Sequence, residues 1–266
     1  MCTLTVAWQV FEDEPLVIAA NRDESYARES SPPQRFDAQP PYIAPRDERA
    51  GGTWLGYNAA GVFVGLTNRW CHVEDGGRRS RGQLVRELLE STSAATVKKR
   101  LLTTLSETTY DGFNLLVADV GWAYDAVDTR CPRAFVCTYD GAPSTDPLPS
   151  GVHVLVNVGL DGASMTVAPD YPDGDEQAAQ ANTLRNDLIT QPQESGDEWR
   201  SRAQDALGDH SYNVCIHRPE TGFGTVSASV VKFSDDRTAE YWFADGPPCK
   251  TPFSRVSASV SETNER

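Results

Sequence analysis

The chain has 266 residues, enough for one large hydrophobic core, and nothing in its composition forces a second domain. It carries 38 acidic against 24 basic residues, a formal charge of −14, and its lysines are Lys98, Lys99, Lys232 and Lys250 alone. Binding to duplex nucleic acid by counterion release needs a basic face, so nucleic acid is excluded as a partner. An acid-rich, lysine-poor surface stays hydrated in concentrated salt, which points to a salt-adapted, halophilic source.

Met1 precedes Cys2, a residue small enough for an aminopeptidase to remove the initiator. The exposed cysteine would then carry a thiol and a free α-amine, which titrate near ~8.5 and ~8, so that one residue supplies both nucleophile and base. Thr3–Trp8 and Leu16–Ala20 are rich in β-branched and apolar residues, and Glu12-Asp13-Glu14-Pro15 between them reads as the loop of a hairpin. That pairing returns Arg22 and Asp23 to the side of Cys2, where a carboxylate can hold an α-ammonium and a guanidinium can lower a thiol pKa. An ordinary buried cysteine beside a surface charge cluster accounts for the same residues.

From Arg28 to Arg49 proline and charge dominate, and the stretch reads as a surface loop. Gly51-Gly52-Thr53-Trp54-Leu55-Gly56 then leads through an Asn58-to-Gly61 turn into a strand ending at Asn68. No Lys-Ser/Thr follows these glycines, so they are not a phosphate loop. Helices are predicted from Arg81, with Leu84, Val85, Leu88 and Leu89 on one face, and after Ser93, with Val97, Leu101, Leu102 and Leu105. Strands follow over 112–120, around 122–127, over 134–139 and over 152–158. Asn157 ends the last of these, placed either to donate to an oxyanion or to close a turn. Helices over 176–189 and 197–207 precede strands over 212–217, 225–233 and 239–243. Residues 1–256 are expected to form a single domain and 257–266 a polar tail.

Strands, two helices, strands, two helices, strands is the order of an α+β protein with two antiparallel sheets between helical layers, a four-layer αββα sandwich. The six cysteines (Cys2, Cys71, Cys131, Cys137, Cys215, Cys249) include no C-x-x-C pair, so neither a metal site nor a disulfide framework is expected and no cofactor is implied. No apolar run reaches membrane-span length, and the start of the chain lacks the basic and apolar regions of a signal peptide. The expected address is cytoplasmic and the expected partner a small-molecule substrate or ligand.

Taken together, Met1-Cys2, the NRDE tetrapeptide at 21–24, GGTWLG at 51–56, Thr67-Asn68, Arg81-Gly82, GFNLL at 112–116 and the strand ending at Asn157 resemble the NRDE family, the proteins like transport and Golgi organization protein 2. The resemblance implies an N-terminal nucleophile (Ntn) hydrolase fold, similar to the choloylglycine hydrolases and penicillin V acylases, and activity on a non-peptide C–N (amide) bond. It makes Cys2 the nucleophile, Asp23 the partner of the α-amine and Asn157 an oxyanion donor, with Arg22, Asn21, Trp54, Asn68 and Arg69 as binding residues. The acylases place their first arginine where this chain has Ala20. Family members commonly carry a late-strand arginine where this chain has Val226, leaving Arg69 or Arg218 as replacements. The resemblance also implies an alternative, a non-catalytic carrier of a hydrophobic molecule such as haem or a lipid, with Cys2, His72 or His217 as haem ligands.

Overall fold

The computed structural model describes residues 2–74, 79–122, 131–162 and 165–260. Most of the strand expected over 122–127, and residues 261–266 of the tail, lie outside these. The chain opens with the predicted hairpin: β1 (Thr3–Trp8) pairs antiparallel with β2 (Leu16–Ser25), Thr3 opposite Asn21 and Trp8 opposite Leu16. β2 runs five residues beyond its apolar stretch, so Asn21 to Glu24 lie within a strand.

The surface loop expected over 28–49 is instead two strands, β3 (Ser30–Phe36) and β4 (Tyr42–Asp47). Pro32 and Pro33 cannot donate to a ladder, but β3 is a sheet edge and its register shifts between Ser31 and Gln34, where the missing N–H groups cost nothing. β5 (Leu55–Asn58) leads into β6 (Val62–Asn68), the strand expected to end at Asn68, and then come α1 (Arg81–Leu88) and α2 (Ala94–Glu107). Ser93 caps α2 reciprocally, its hydroxyl accepting from Thr96 N–H at 3.2 Å while the Thr96 hydroxyl accepts from Ser93 N–H at 3.0 Å.

β7 (Phe113–Asp119) and β8 (Arg133–Tyr139) are followed by an edge strand absent from the sequence reading, β9 (Pro143–Pro147), and then by β10 (Gly151–Val156) and the short β11 (Gly159–Leu160). α3 (Gly174–Asp187) and α4 (Gly196–Gly208) match the predicted helices within two residues. The strand expected over 212–217 shrinks to β12 (His217–Arg218), because a 3-10 turn at His210–Tyr212 ends in Asn213 with a left-handed backbone, φ 50°. β13 (Phe223–Phe233), β14 (Ala239–Ala244) and β15 (Ser254–Arg255) complete the described elements.

One sheet runs β11-β10-β1-β2-β13-β14-β15, with β12 on β13, and the other runs β3 to β9 in chain order. Period-two alternation gives each central strand two jobs. On β2, Leu16, Ile18 and Ala20 face the second sheet, where they meet Tyr57, Phe63 and Leu116. Val17 and Ala19 face the other way, against Leu184, Trp199 and Leu207 of α3 and α4. Val62, Val64, Leu115 and Val117 of the second sheet bury against α1 and α2. At about 1.5–3 kcal/mol per fully buried large aliphatic side chain, three such interfaces explain why the central strands read as nearly continuous apolar runs. The layers are therefore α, β, β and α, as the element order predicts. At the C-terminal side, Val256, Ala258 and Val260 pack on the inter-sheet core, and Arg35 Nη1 donates to the carbonyls of Ser259 and Val260, both at 3.0 Å.

Candidate functional site

Cys2 directly precedes β1, and the hairpin sets its Sγ 3.8 Å from the carbonyl oxygen of Asp23. Both residues line a cavity of about 360 Å³ whose walls include Arg22, Trp54, Asn68 and Arg81. Asp23 is buried, and its Oδ1 accepts a 2.6 Å hydrogen bond from the Thr225 hydroxyl. That hydroxyl also accepts from the Ile216 N–H at 2.8 Å, so its own proton is committed to the carboxylate. Burial pushes the Asp23 carboxyl above its usual range, with the Thr225 hydrogen bond opposing it. Burial likewise pushes the Cys2 thiol up, against the hydrogen bond to Asp23 and the positive charge of Arg22.

Val226, at the position of the missing arginine, falls in a β-bulge: Thr225 pairs with Asp23 and Ser227 with Arg22, which leaves Val226 outside the register. It is half-buried and is not part of the cavity wall. The bulge brings Thr225, one residue earlier, onto Asp23.

Arg22 is buried with its guanidinium 4.1 Å above the centre of the Trp54 ring and Nη2 3.3 Å from Asp47 Oδ2. Arg28 reaches the same carboxylate oxygen at 2.6 Å. Burial alone would raise the Asp47 carboxyl, but the Ala50 N–H and Arg28 together hold it below the ordinary carboxylate range. Arg81, at the start of α1, donates from Nη1 to the Gly112 carbonyl at 2.7 Å and lies close enough to Cys2 to interact with it electrostatically. Its place follows from two glycines. A Cβ on Gly52 would come within 2.2 Å of the Gly82 carbonyl carbon, and Thr53 N–H donates to Gly82 O at 3.0 Å. Backbone packs on backbone here, which draws the first turn of α1 to the cavity. In the sequence Arg81 is only part of a family motif, and the glycine beside it is the signal of a close backbone approach.

The remaining expected site residues divide. Trp54 and Asn68 line the cavity. Asn21 points to the helix side of β2, as Val17 and Ala19 do, and there its Nδ2 donates to Leu207 O at 2.9 Å and Val214 O at 2.8 Å. Leu207 is in the last turn of α4, whose carbonyls lack intrahelical partners, so Asn21 closes that helix rather than contacting a ligand. Asn157 is buried and outside the cavity wall; its Nδ2 donates to the backbone carbonyl of Asn68 at 2.7 Å, and its Oδ1 accepts from Gln177 at 3.1 Å. Arg69 is buried, bonded to Asn114 Oδ1 at 3.2 Å, and lines an adjoining cavity of about 600 Å³. Asn68, Arg81 and Asp111 belong to both cavities, and His72 and the stacked pair Trp70–Tyr171 line the second, the rings 5.5 Å apart and 4° from parallel.

The cysteines come together in a way their spacing does not show. Their spacing along the chain signals no metal site, yet the fold gathers His210, Cys215, His217 and Cys249 into one group. Local spacing reports only groups carried on one turn or hairpin, and here Cys249 comes from a distant loop.

Residues 1–242 match the family model described as Transport and Golgi organisation 2. The chain belongs to that family. It is 31% identical over 151 residues to the transport and Golgi organization protein 2 homolog of Homo sapiens, covering 55% of this chain and 51% of the human protein. The Mus musculus homolog aligns with the same identity and coverage. The chain thus matches about half the length of these relatives. In structure it is similar to the C2A mutant of conjugated bile acid hydrolase from Clostridium perfringens, with TM-score 0.57, 10% identity and 98% of each chain covered. It is also similar to the Caenorhabditis elegans ortholog of N-acylethanolamine-hydrolyzing acid amidase, with TM-score 0.55, 15% identity and coverage of 86% of this chain and 92% of that one. At such identities the likeness is one of fold, and that fold is the Ntn-hydrolase sandwich. Among the described residues of this Transport and Golgi organisation 2 family member, no helix is long and apolar enough to cross a membrane.

Proposed function

We propose that this chain is an N-terminal-cysteine hydrolase acting on the amide C–N bond of a small polar molecule. The observation that carries the reading is the shared wall: Cys2 and Asp23 line one cavity, their contact fixed by the first hairpin. With Met1 removed, the α-amine of Cys2 takes the thiol proton and the thiolate attacks the carbonyl carbon. Asp23, held by Thr225, orients the resulting ammonium. The tetrahedral intermediate collapses by breaking the C–N bond, and the departing amine takes the proton back. Water then hydrolyses the thioester and regenerates Cys2.

The proposal moves the oxyanion role from Asn157 to Asn68 and Arg81, which line the cavity, and makes Asn157 a brace on the Asn68 backbone. Arg22 serves the thiolate through its charge. Arg22, Arg28, Arg81, Asp47 and Asp111 make a charged wall, which suits a polar amide better than a haem or a lipid tail and places the hydrolase reading above the carrier reading.

The test is a mass spectrum of the intact protein followed by thiol labelling and peptide mapping. Loss of Met1 and labelling of Cys2 ahead of the other five thiols is the expected result. Retention of Met1, or a Cys2 that reacts no faster than exposed Cys131, sinks the proposal.

A further inference from the structure

The cluster of His210, Cys215, His217 and Cys249 stands apart from the Cys2 cavity and plays no part in the mechanism above. One nitrogen or sulfur from each residue lies within 4.8 Å of all the others. His217 Nε2 is 3.6 Å from Cys215 Sγ and 3.2 Å from Cys249 Sγ. A tetrahedral zinc ion bound at about 2.3 Å from sulfur and about 2.0–2.1 Å from nitrogen separates neighbouring N and S ligands by about 3.5 Å. Two edges of such a tetrahedron are therefore already in place, and the widest separations in the group need to close by about 1 Å. Two thiolates and two imidazoles are the donor set that selects zinc-like ions over calcium or magnesium, which take oxygen.

The backbone that carries these residues is held by other means. His210 sits in the 3-10 turn that follows α4, and His217 is paired to Gly224 in β12–β13. Cys249 lies in a turn closed by Lys250 N–H to Pro247 O at 2.9 Å, and a Cβ on Gly208 would stand 3.2 Å from the Cys249 amide nitrogen. Ligands presented by three separately ordered segments converge without a loop having to fold over them. Cys215 is buried while His210 is exposed, which leaves an entry path for an ion.

We propose that His210, Cys215, His217 and Cys249 form a tetrahedral binding site for a zinc-class divalent ion, which clamps the 247–251 turn and the end of α4 to β12. Ile216 lies between two of the ligands, and its amide donates to the Thr225 hydroxyl that holds Asp23. The clamp thereby also braces the segment behind the candidate active site, although the metal site stands whether or not the chain is a hydrolase.

The experiment uses the full chain, purified without chelator or metal-affinity resin, with metal content measured by plasma mass spectrometry and cobalt(II) added to the metal-free protein. The expected results are one zinc per chain and a cobalt spectrum with sulfur-to-metal charge transfer and tetrahedral d–d bands. Both signals should be lost in Cys249→Ser and in His217→Ala and kept in Cys71→Ser. Wild-type protein that holds no metal and gives only the spectrum of aqueous cobalt overturns the proposal, as does a Cys215–Cys249 disulfide in protein purified under reducing conditions. The wild-type cobalt titration needs no variant to fold, and circular dichroism of the variants separates ligand loss from unfolding. Cys2 labelling of the metal-loaded wild type, measured alongside, reports independently on the hydrolase reading.

Discussion

Two of the thiol-bearing corners of the molecule are built in opposite ways. Cys2 meets Asp23 through a hairpin of neighbouring strands, with arginines around it and a cavity in front of it. Cys215 and Cys249 meet each other only after α4, β12, β13 and β14 have been placed, and imidazoles rather than guanidinium groups surround them. On the two proposals made above, Cys2 is a nucleophile whose thiolate is favoured by nearby positive charge, whereas Cys215 and Cys249 are ligands that share an ion with imidazoles.

The comparison can be broken most sharply at Cys2. Cys2→Ala should abolish turnover of any amide found as substrate, by on the order of 10⁵-fold, and leave metal content unchanged; Cys249→Ser should do the reverse to metal content. Loss of metal on Cys2→Ala would falsify the separation of the two corners. Asp23→Asn comes next, with turnover falling by roughly 10²-fold or more because the neutral amide no longer supplies the negative charge that stabilises the α-ammonium. Rapid kinetics on the variant check this, and an undiminished rate would remove Asp23 from the mechanism.

Thr225→Val tests the link between the corners. It strips a partner from the buried Asp23 Oδ1 and from the Ile216 N–H, and should cost about 1–3 kcal/mol in urea denaturation at neutral pH. A smaller effect concerns acid stability. Asp47 titrates below its ordinary range in the fold, so it stabilises the native state above the unfolded carboxyl pKa and that contribution disappears as pH falls through the depressed value. Asp47→Asn should therefore flatten the acid limb of a stability-against-pH curve without changing its slope near neutrality. The smallest expected effect is Arg81→Met, which removes a cation near Cys2 and should slow Cys2 alkylation at neutral pH by less than about tenfold, with the rate still rising into the alkaline range because burial raises the thiol.

Much of this was legible in the residues. The first hairpin, the four helices with Ser93 as a cap, and β7, β8, β10, β13 and β14 all carry their signal locally, in alternation, capping chemistry and turn residues. β3 and β4 were not legible, since Pro32, Pro33, Pro40 and Pro41 read as loop until the chain is known to lie at a sheet edge. β9 and β15 are polar edge pieces, with little apolar pattern to find. Within the site, Cys2, Asp23, Arg22, Trp54 and Asn68 are brought to one cavity, while Asn21 and Asn157 are drawn into hydrogen bonds with backbone carbonyls. An amide side chain gives the same letter in the sequence whichever partner it finds.

What the sequence by itself determined was the order of the elements, the apolar faces they must bury and the proximity of Cys2 to Asp23, because each of these depends on residues a few positions apart or on one hairpin. Tertiary structure alone decided that Arg22 and Asp23 meet the cavity while Asn21 bonds the end of α4, that a bulge at Val226 sets Thr225 on Asp23, that paired glycines bring Arg81 to the wall, and that Cys249 reaches Cys215 and His217. Those contacts join segments tens to hundreds of residues apart, and their geometry exists only once the two sheets and their helices have packed.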